Sequence, residues 1–174
     1  SLRRQRQMCI RDRYKNDLPI WNDLNLNNIT KSISSELVIG NVRSATISEN
    51  LGFTNTHPFQ FDNLLFSHNG FISKFTDDTR HALKKFLDAS YINKIKGRTD
   101  SELIFYLIIQ YLKNTNDLKK SIKKSIALIK ENSESSMLNF LVATHDKKGN
   151  KKLYATRVGI NLSLIHISEP TRRR

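Results

Sequence analysis

Three short islands put chemically able side chains where apolar runs end. They are Val42-Arg43-Ser44-Ala45-Thr46, Asn55-Thr56-His57-Pro58-Phe59 and Phe66-Ser67-His68-Asn69-Gly70. An arginine closing a buried strand can grip a carboxylate through two parallel hydrogen bonds. An Asn amide beside a Gly backbone N–H makes a pair of donors for an oxyanion, because glycine lets the backbone approach closely. Each feature also has an ordinary reading. Arg43 can pair with a structural acid, Asn69-Gly70 can be a hairpin turn, and His57 and His68 can be plain hydrogen-bonded histidines.

The elements that must position these islands follow from the pattern of apolar residues. Leu37–Val42 is an apolar run suited to a buried strand, and residues 44–56 read as a loop. Asn63–His68 reads as a second buried strand, stopped by Asn69-Gly70 in a tight turn with positive φ. Asp77–Leu87 has helical character, with acidic residues at its N-terminus. Thr99-Asp100-Ser101-Glu102 fits a capping box, Thr99 capping and Glu102 reaching back. Leu103, Ile104, Leu107, Ile108, Tyr111 and Leu112 then keep helical spacing on one face. A second amphipathic helix spans Leu118–Lys130, its Leu118, Ile122, Ile126 and Ile129 stripe opposed by Lys119, Lys120, Lys123 and Lys124. Met137–His145, a Lys-Lys-Gly-Asn turn and Lys151–Arg157 form a hairpin. Strands and helices fall in blocks rather than strict alternation, which predicts an α+β fold with an antiparallel sheet.

Both ends read differently from the interior. Arg3 to Asp12 is what a widely used tagmentation adapter encodes, and Leu162 to Ile167 is encoded by the reverse complement of the same stretch in another frame. Ser168 to Arg172 continues along the other adapter arm. Such scars are set aside before a fold is argued. The expected organisation is therefore 1–13 adapter-derived, 14–161 a partial domain, and 162–174 adapter-derived.

The full chain carries a formal charge of +13, but its terminal stretches hold eight of the 29 basic residues and two of the 16 acidic ones. That leaves 21 against 14 in the interior, a net +7. Lys far outnumbers Arg there, beside much Asn and Ile, and AT-rich codons account for all three. No basic stripe with interleaved aromatic readers marks a nucleic-acid footprint. No apolar run approaches the ~20 residues that span a bilayer. The one cysteine, Cys9, lies in the adapter-like stretch, so the interior offers neither a disulfide framework nor a thiolate metal site. No cofactor or metal is expected.

In order, VRSAT, NTHPF, FSHNGFI and GRTDSELIF resemble the class II glutamine amidotransferase domain, whose nucleophile is an N-terminal cysteine. The upstream DLPIWNDLNL (Asp17–Leu26) is similar to the single-domain branch that includes the γ-glutamyl amidase of ergothioneine biosynthesis. The resemblance covers nearly all of residues 14–161. It implies a four-layer αββα sandwich, two antiparallel sheets between helices, truncated here at both ends. Arg43 matches the arginine that grips the substrate α-carboxylate, and Thr46 a threonine lining the same pocket. Asn69 and Gly70 match the oxyanion hole, and Asp100 the acid that receives the α-ammonium. His57 and His68 fall within the motifs in supporting roles.

The implied reaction is cleavage of a glutamine or γ-glutamyl amide through a cysteine thioester in a cytoplasmic enzyme. It leaves open whether the ammonia passes to a partner synthetase. Met8-Cys9-Ile10 mimics the required start, but its codons are adapter, so the nucleophile is expected to be missing and this chain inactive. The alternative is a non-catalytic γ-glutamyl-binding or regulatory domain on the same scaffold.

Overall fold

The computed structural model describes residues 13–42, 52–146, 148–159 and 163–168. Its element order is α1 (Leu26–Ser32), β1 (Phe59–Phe61), β2 (Leu64–Ile72), α2 (Asp77–Lys84), α3 (Ala89–Ile92), α4 (Asp100–Thr115), α5 (Leu118–Glu131), β3 (Ser136–His145), β4 (Lys151–Val158) and β5 (Ser163–Ser168). All five strands pair antiparallel in the order β1-β2-β3-β4-β5, so the fold is mixed α+β. The register sets Phe66 opposite Val142, His68 opposite Phe140, Asn69 opposite Asn139 and Gly70 opposite Leu138.

The hairpin, α2 and both long helices lie where apolar spacing places them, within a few residues. Strand β1 is too short to be read from sequence. β5 lies within the stretch 162–174 and pairs along the outer edge of β4. Edge addition of this kind recruits backbone N–H and C=O groups and asks little of the side chains.

The core forms where α4 and α5 cover one face of the sheet. Residues 101–110 of α4 are buried on every side, not along a single stripe. A helix buried all round lies between other elements. Here α4 is flanked by β2, α2 and α5. On α5, Leu118, Ile122, Ile126 and Ile129 are buried while Lys119, Lys120, Lys123 and Lys124 are exposed. Asp117 caps it, accepting from the Lys120 N–H at 3.1 Å. Phe66 anchors the sheet side of the core. Its ring lies 5.2 Å from Phe105 at an interplanar angle of 15° and 5.3 Å from Phe140. Aromatic pairs of this geometry add roughly 1 kcal/mol each beyond area burial.

Two expectations are corrected. Leu37–Val42 is not a buried strand: it has no regular structure, and Val38 and Val42 are 69% and 73% exposed. An apolar run becomes a strand only where a neighbouring strand takes its backbone hydrogen bonds, and none does so here among the described residues.

Asn69-Gly70 is not a turn either. Strand β2 runs straight through it to Ile72, and Gly70 is absent from the positive-φ positions, whose glycines are Gly52 and Gly149. Glycine serves close approach instead. A Cβ on Gly70 would collide with the Met137 carbonyl oxygen and come within 2.7 Å of His68 Nε2.

Candidate active site

Strand β2 and the N-terminus of α4 meet through Asp100. Its Oδ2 accepts the Ile72 N–H at 2.9 Å, and its Oδ1 accepts the Ser101 N–H at 2.7 Å. The Ser101 hydroxyl lies 3.2 Å from the same Oδ1. Ile72 is two residues beyond Gly70, so this carboxylate ties the helix to the Asn69-Gly70 strand. A carboxylate in the first helical turn is also favoured by the helix dipole.

The loop before Asp100 is held from three sides. Thr99 caps α4, accepting from the Glu102 N–H at 3.4 Å. Glu102 does not fold back onto Thr99 as a capping box requires. Its buried carboxylate reaches further, accepting from the Gly97 N–H at 2.6 Å and the Lys96 N–H at 3.0 Å. Asn55, from the NTHPF island, accepts the Arg98 N–H at 3.3 Å, and the Arg80 guanidinium donates to the Gly97 carbonyl at 2.7 Å. Gly97 packs closely here: a Cβ would strike the Asn55 amide oxygen and approach Glu102 Oε2 to 2.9 Å, so these side chains would have to shift. Arg80 carries no sequence signal for this role, while Asn55 is visible in the sequence only as part of the NTHPF island and Glu102 only as a capping-box residue. Their part in holding the loop shows only in the burial of Asn55 and Glu102 and in the reach of Arg80 to the Gly97 carbonyl.

His68 is buried beneath the strand, its Nδ1 2.9 Å from Ser101 Oγ and its Nε2 3.2 Å from the Met137 carbonyl. Burial holds its pKa below the ordinary histidine value, while the Asp100 charge and the Met137 hydrogen bond oppose that shift. His57 is also buried and packs edge-on against Phe59, ring centroids 4.8 Å apart. Lys15 lies above Phe53 and Phe59 at 5.4 and 5.2 Å from their centroids and donates to the Phe53 carbonyl. Burial, reinforced by Arg13 and opposed by Glu102, lowers Lys15 to about 8.

On the face away from the helices a shallow pocket of about 300 Å³ is lined by Gly40, Asn41, Val42, Ser67, Asn69 and Asn139, among others. Asn41 donates to Ser67 Oγ at 2.8 Å, which fixes the Gly40–Val42 segment over the strand. Asn69 is exposed and lines this pocket, whereas Asp100 does not and sits with the helices. The structure thus joins Asp100, Ser101 and His68 in one hydrogen-bonded cluster, with Gly70 beside His68 and Asn69 one residue away on the other face. Arg43, Thr46 and the single cysteine, Cys9, lie outside the described residues.

The profile of the family described as glutamine amidotransferases class-II matches residues 25–165. The chain belongs to that family. It is 34% identical to the probable glutamine amidotransferase DUG3 of Saccharomyces cerevisiae, over 74% of this chain and 42% of that protein. It is 27% identical to the gamma-glutamyl-hercynylcysteine sulfoxide hydrolase of Mycolicibacterium smegmatis, over 88% of this chain and 58% of that protein. It therefore spans about half the length of these relatives. A glutamine aminotransferase class-II domain protein from Silicibacter pomeroyi shares the fold, with a TM-score of 0.54 at 20% identity, over 91% of this chain and 73% of that one. No helix among the described residues is long and apolar enough to cross a membrane.

Proposed function

We propose that this class II amidotransferase domain serves, in its complete gene product, to hydrolyse a glutamine or γ-glutamyl amide through a cysteine thioester. The observation that carries the reading is the family match over residues 25–165, and the tie between Asp100 and the Ile72 N–H adds to it by holding an acid two residues from Gly70, on the helix side of β2. In this reading Asn69, through its side chain, and Gly70, through its backbone N–H, stabilise the tetrahedral oxyanion. Asp100 takes the substrate α-ammonium, Arg43 the α-carboxylate, and Thr46 lines the same pocket. His57 and His68 support these groups without exchanging protons with substrate. The similarity to a γ-glutamyl hydrolase supports a γ-glutamyl compound of the ergothioneine-type branch, and the similarity to a probable glutamine amidotransferase supports glutamine itself.

Residues 14–161 carry the domain in this reading. The sheet and its covering helices are two layers of an αββα sandwich. A second sheet would lie on the face that leaves Phe71 exposed and Leu65, Met137 and Leu141 half-buried. The enzyme is placed in the cytoplasm.

The test is release of glutamate from L-glutamine and from γ-glutamyl amides by the complete gene product, compared with its Asn69→Ala variant. Removing one oxyanion donor is expected to lower kcat about 10²–10³-fold with a smaller change in KM. Unchanged turnover in Asn69→Ala overturns the assignment. Binding of glutamine with no turnover by the wild type points instead to a γ-glutamyl-binding domain.

A further inference from the structure

One serine hydroxyl stands between two groups that both want its proton. Ser101 Oγ lies 2.9 Å from His68 Nδ1 and 3.2 Å from Asp100 Oδ1. A hydroxyl has one proton, so it can donate to the imidazole or to the carboxylate but not to both. The tautomer of His68 is fixed independently. Its Nε2 faces the Met137 carbonyl, which only accepts, so Nε2 carries a proton in either charge state.

Two arrangements follow. With His68 neutral, Nδ1 is an acceptor and takes the Ser101 proton, leaving Asp100 Oδ1 with the Ser101 N–H and an unused lone pair. With His68 protonated, the Nδ1–H donates to Ser101 Oγ, and the hydroxyl proton turns onto Asp100 Oδ1. That occupies the lone pair and brings a positive charge next to the carboxylate.

We propose that His68 and Ser101 are positioning residues that couple the charge of His68 to the capacity of Asp100 to hold an ammonium group. The inference rests on the reading of Asp100 as the α-ammonium acceptor. From α4 the groups facing the imidazole are Asp100 and Ser101. Strand β3 contributes the Met137 carbonyl and the Phe140 ring, and β2 the Phe66 ring. Among these, Asp100 is the only charged group. Gly70 completes the device, since any Cβ there would push into His68 Nε2.

The relay makes a reciprocal prediction. If protonating His68 weakens binding of the ammonium group about tenfold, a bound ligand must lower the His68 midpoint by roughly one pH unit. The probe is L-glutamate, which bears the same α-ammonium and α-carboxylate and is not hydrolysed further. Imidazole ¹⁵N shifts of the complete gene product are followed over pH 4.5–8 with and without saturating glutamate, the His68 signal being assigned by its loss in His68→Gln.

The expected result is a neutral Nε2–H tautomer whose midpoint falls by about one unit on binding. The fall shrinks in Ser101→Ala. Binding that leaves the midpoint unmoved in the wild type overturns the relay and spares the pocket assignment. An Nδ1–H neutral tautomer overturns it as well. Failure of both glutamate and glutamine to bind removes the pocket reading, and the relay with it.

Discussion

The two faces of strand β2 do different work from adjacent residues. Leu64, Phe66, His68, Gly70 and Ile72 point toward the helices, and all but Gly70 are buried. Leu65, Ser67, Asn69 and Phe71 point the other way. Only Ser67 of these is buried, covered by Asn41, and Asn69 opens into the pocket. A pleat that alternates every residue lets one strand hold the core with one set of side chains and offer polar groups with the other. Stability and chemistry are therefore separable by single substitutions along nine residues.

The largest expected effect tests the buried side. Phe66→Ala removes a ring stacked on Phe105 and packed on Phe140, and should cost about 4 kcal/mol. Leu65→Ala, one residue away on the open face, should cost about 1 kcal/mol because its side chain is only half-buried. Urea denaturation of both variants gives the contrast directly. Equal losses would mean that the open face is covered as fully as the helix face in the protein measured, as a second sheet would require.

Next in size is Gly70→Ala. The added methyl meets a backbone carbonyl, which cannot rotate away as a side chain would. Overpacking of this kind costs typically 1–3 kcal/mol, and about 3 is expected here. Gly149→Ala in the β3-β4 turn is the control, because its φ of +85° strains any other residue without any collision. A larger loss at Gly149 than at Gly70 would show that steric approach at Gly70 has been overrated.

Much of the buried side was readable from sequence, and the reason is periodicity. The spacing in α4 and α5 and the alternation in the β3-β4 hairpin depend on neighbours within one element. What was not readable depends on partners far along the chain. Leu37–Val42 has strand composition but no strand beside it. Asn69-Gly70 has turn composition, yet pairing with Leu138 and Asn139 carries the strand through. Glu102 sits at the right distance for a capping box, but its side chain finds the Lys96 and Gly97 N–H groups, whose position is set by Asn55 and Arg80. For the site, Asp100 was recognised by family resemblance, whereas its bond to Ile72 and its link through Ser101 to His68 exist only in three dimensions.

A smaller effect concerns pH. His68 is the one titratable group on the buried side of β2, and burial keeps its folded pKa below the ordinary value of 6.5. Between the lowered folded value and 6.5 the unfolded chain binds more protons than the folded one, so stability rises with pH across that window. Stated from the other side, stability is lost as pH falls through about 6.5, and the loss is complete once the folded pKa has been passed. Urea midpoints at pH 7.5 and 5 should show this slope in the wild type and a shallower one in His68→Gln. Identical slopes would assign the acid limb to the carboxylates instead.

The smallest effect on stability is expected at Asn69. Its side chain is exposed at the pocket, and a surface substitution of this kind usually stays within about 0.5 kcal/mol. Asn69→Ala should therefore melt with the wild type in a thermal scan while losing most of its turnover. The pairing of those two results matters more than either alone. A stable but inactive variant places the amide on the reacting side of the strand, as an oxyanion donor requires. A loss of about 2 kcal/mol would instead mark a hydrogen bond that holds the fold, the size expected when a buried polar partner is left unsatisfied. The two faces of β2 would then not be separable at this residue.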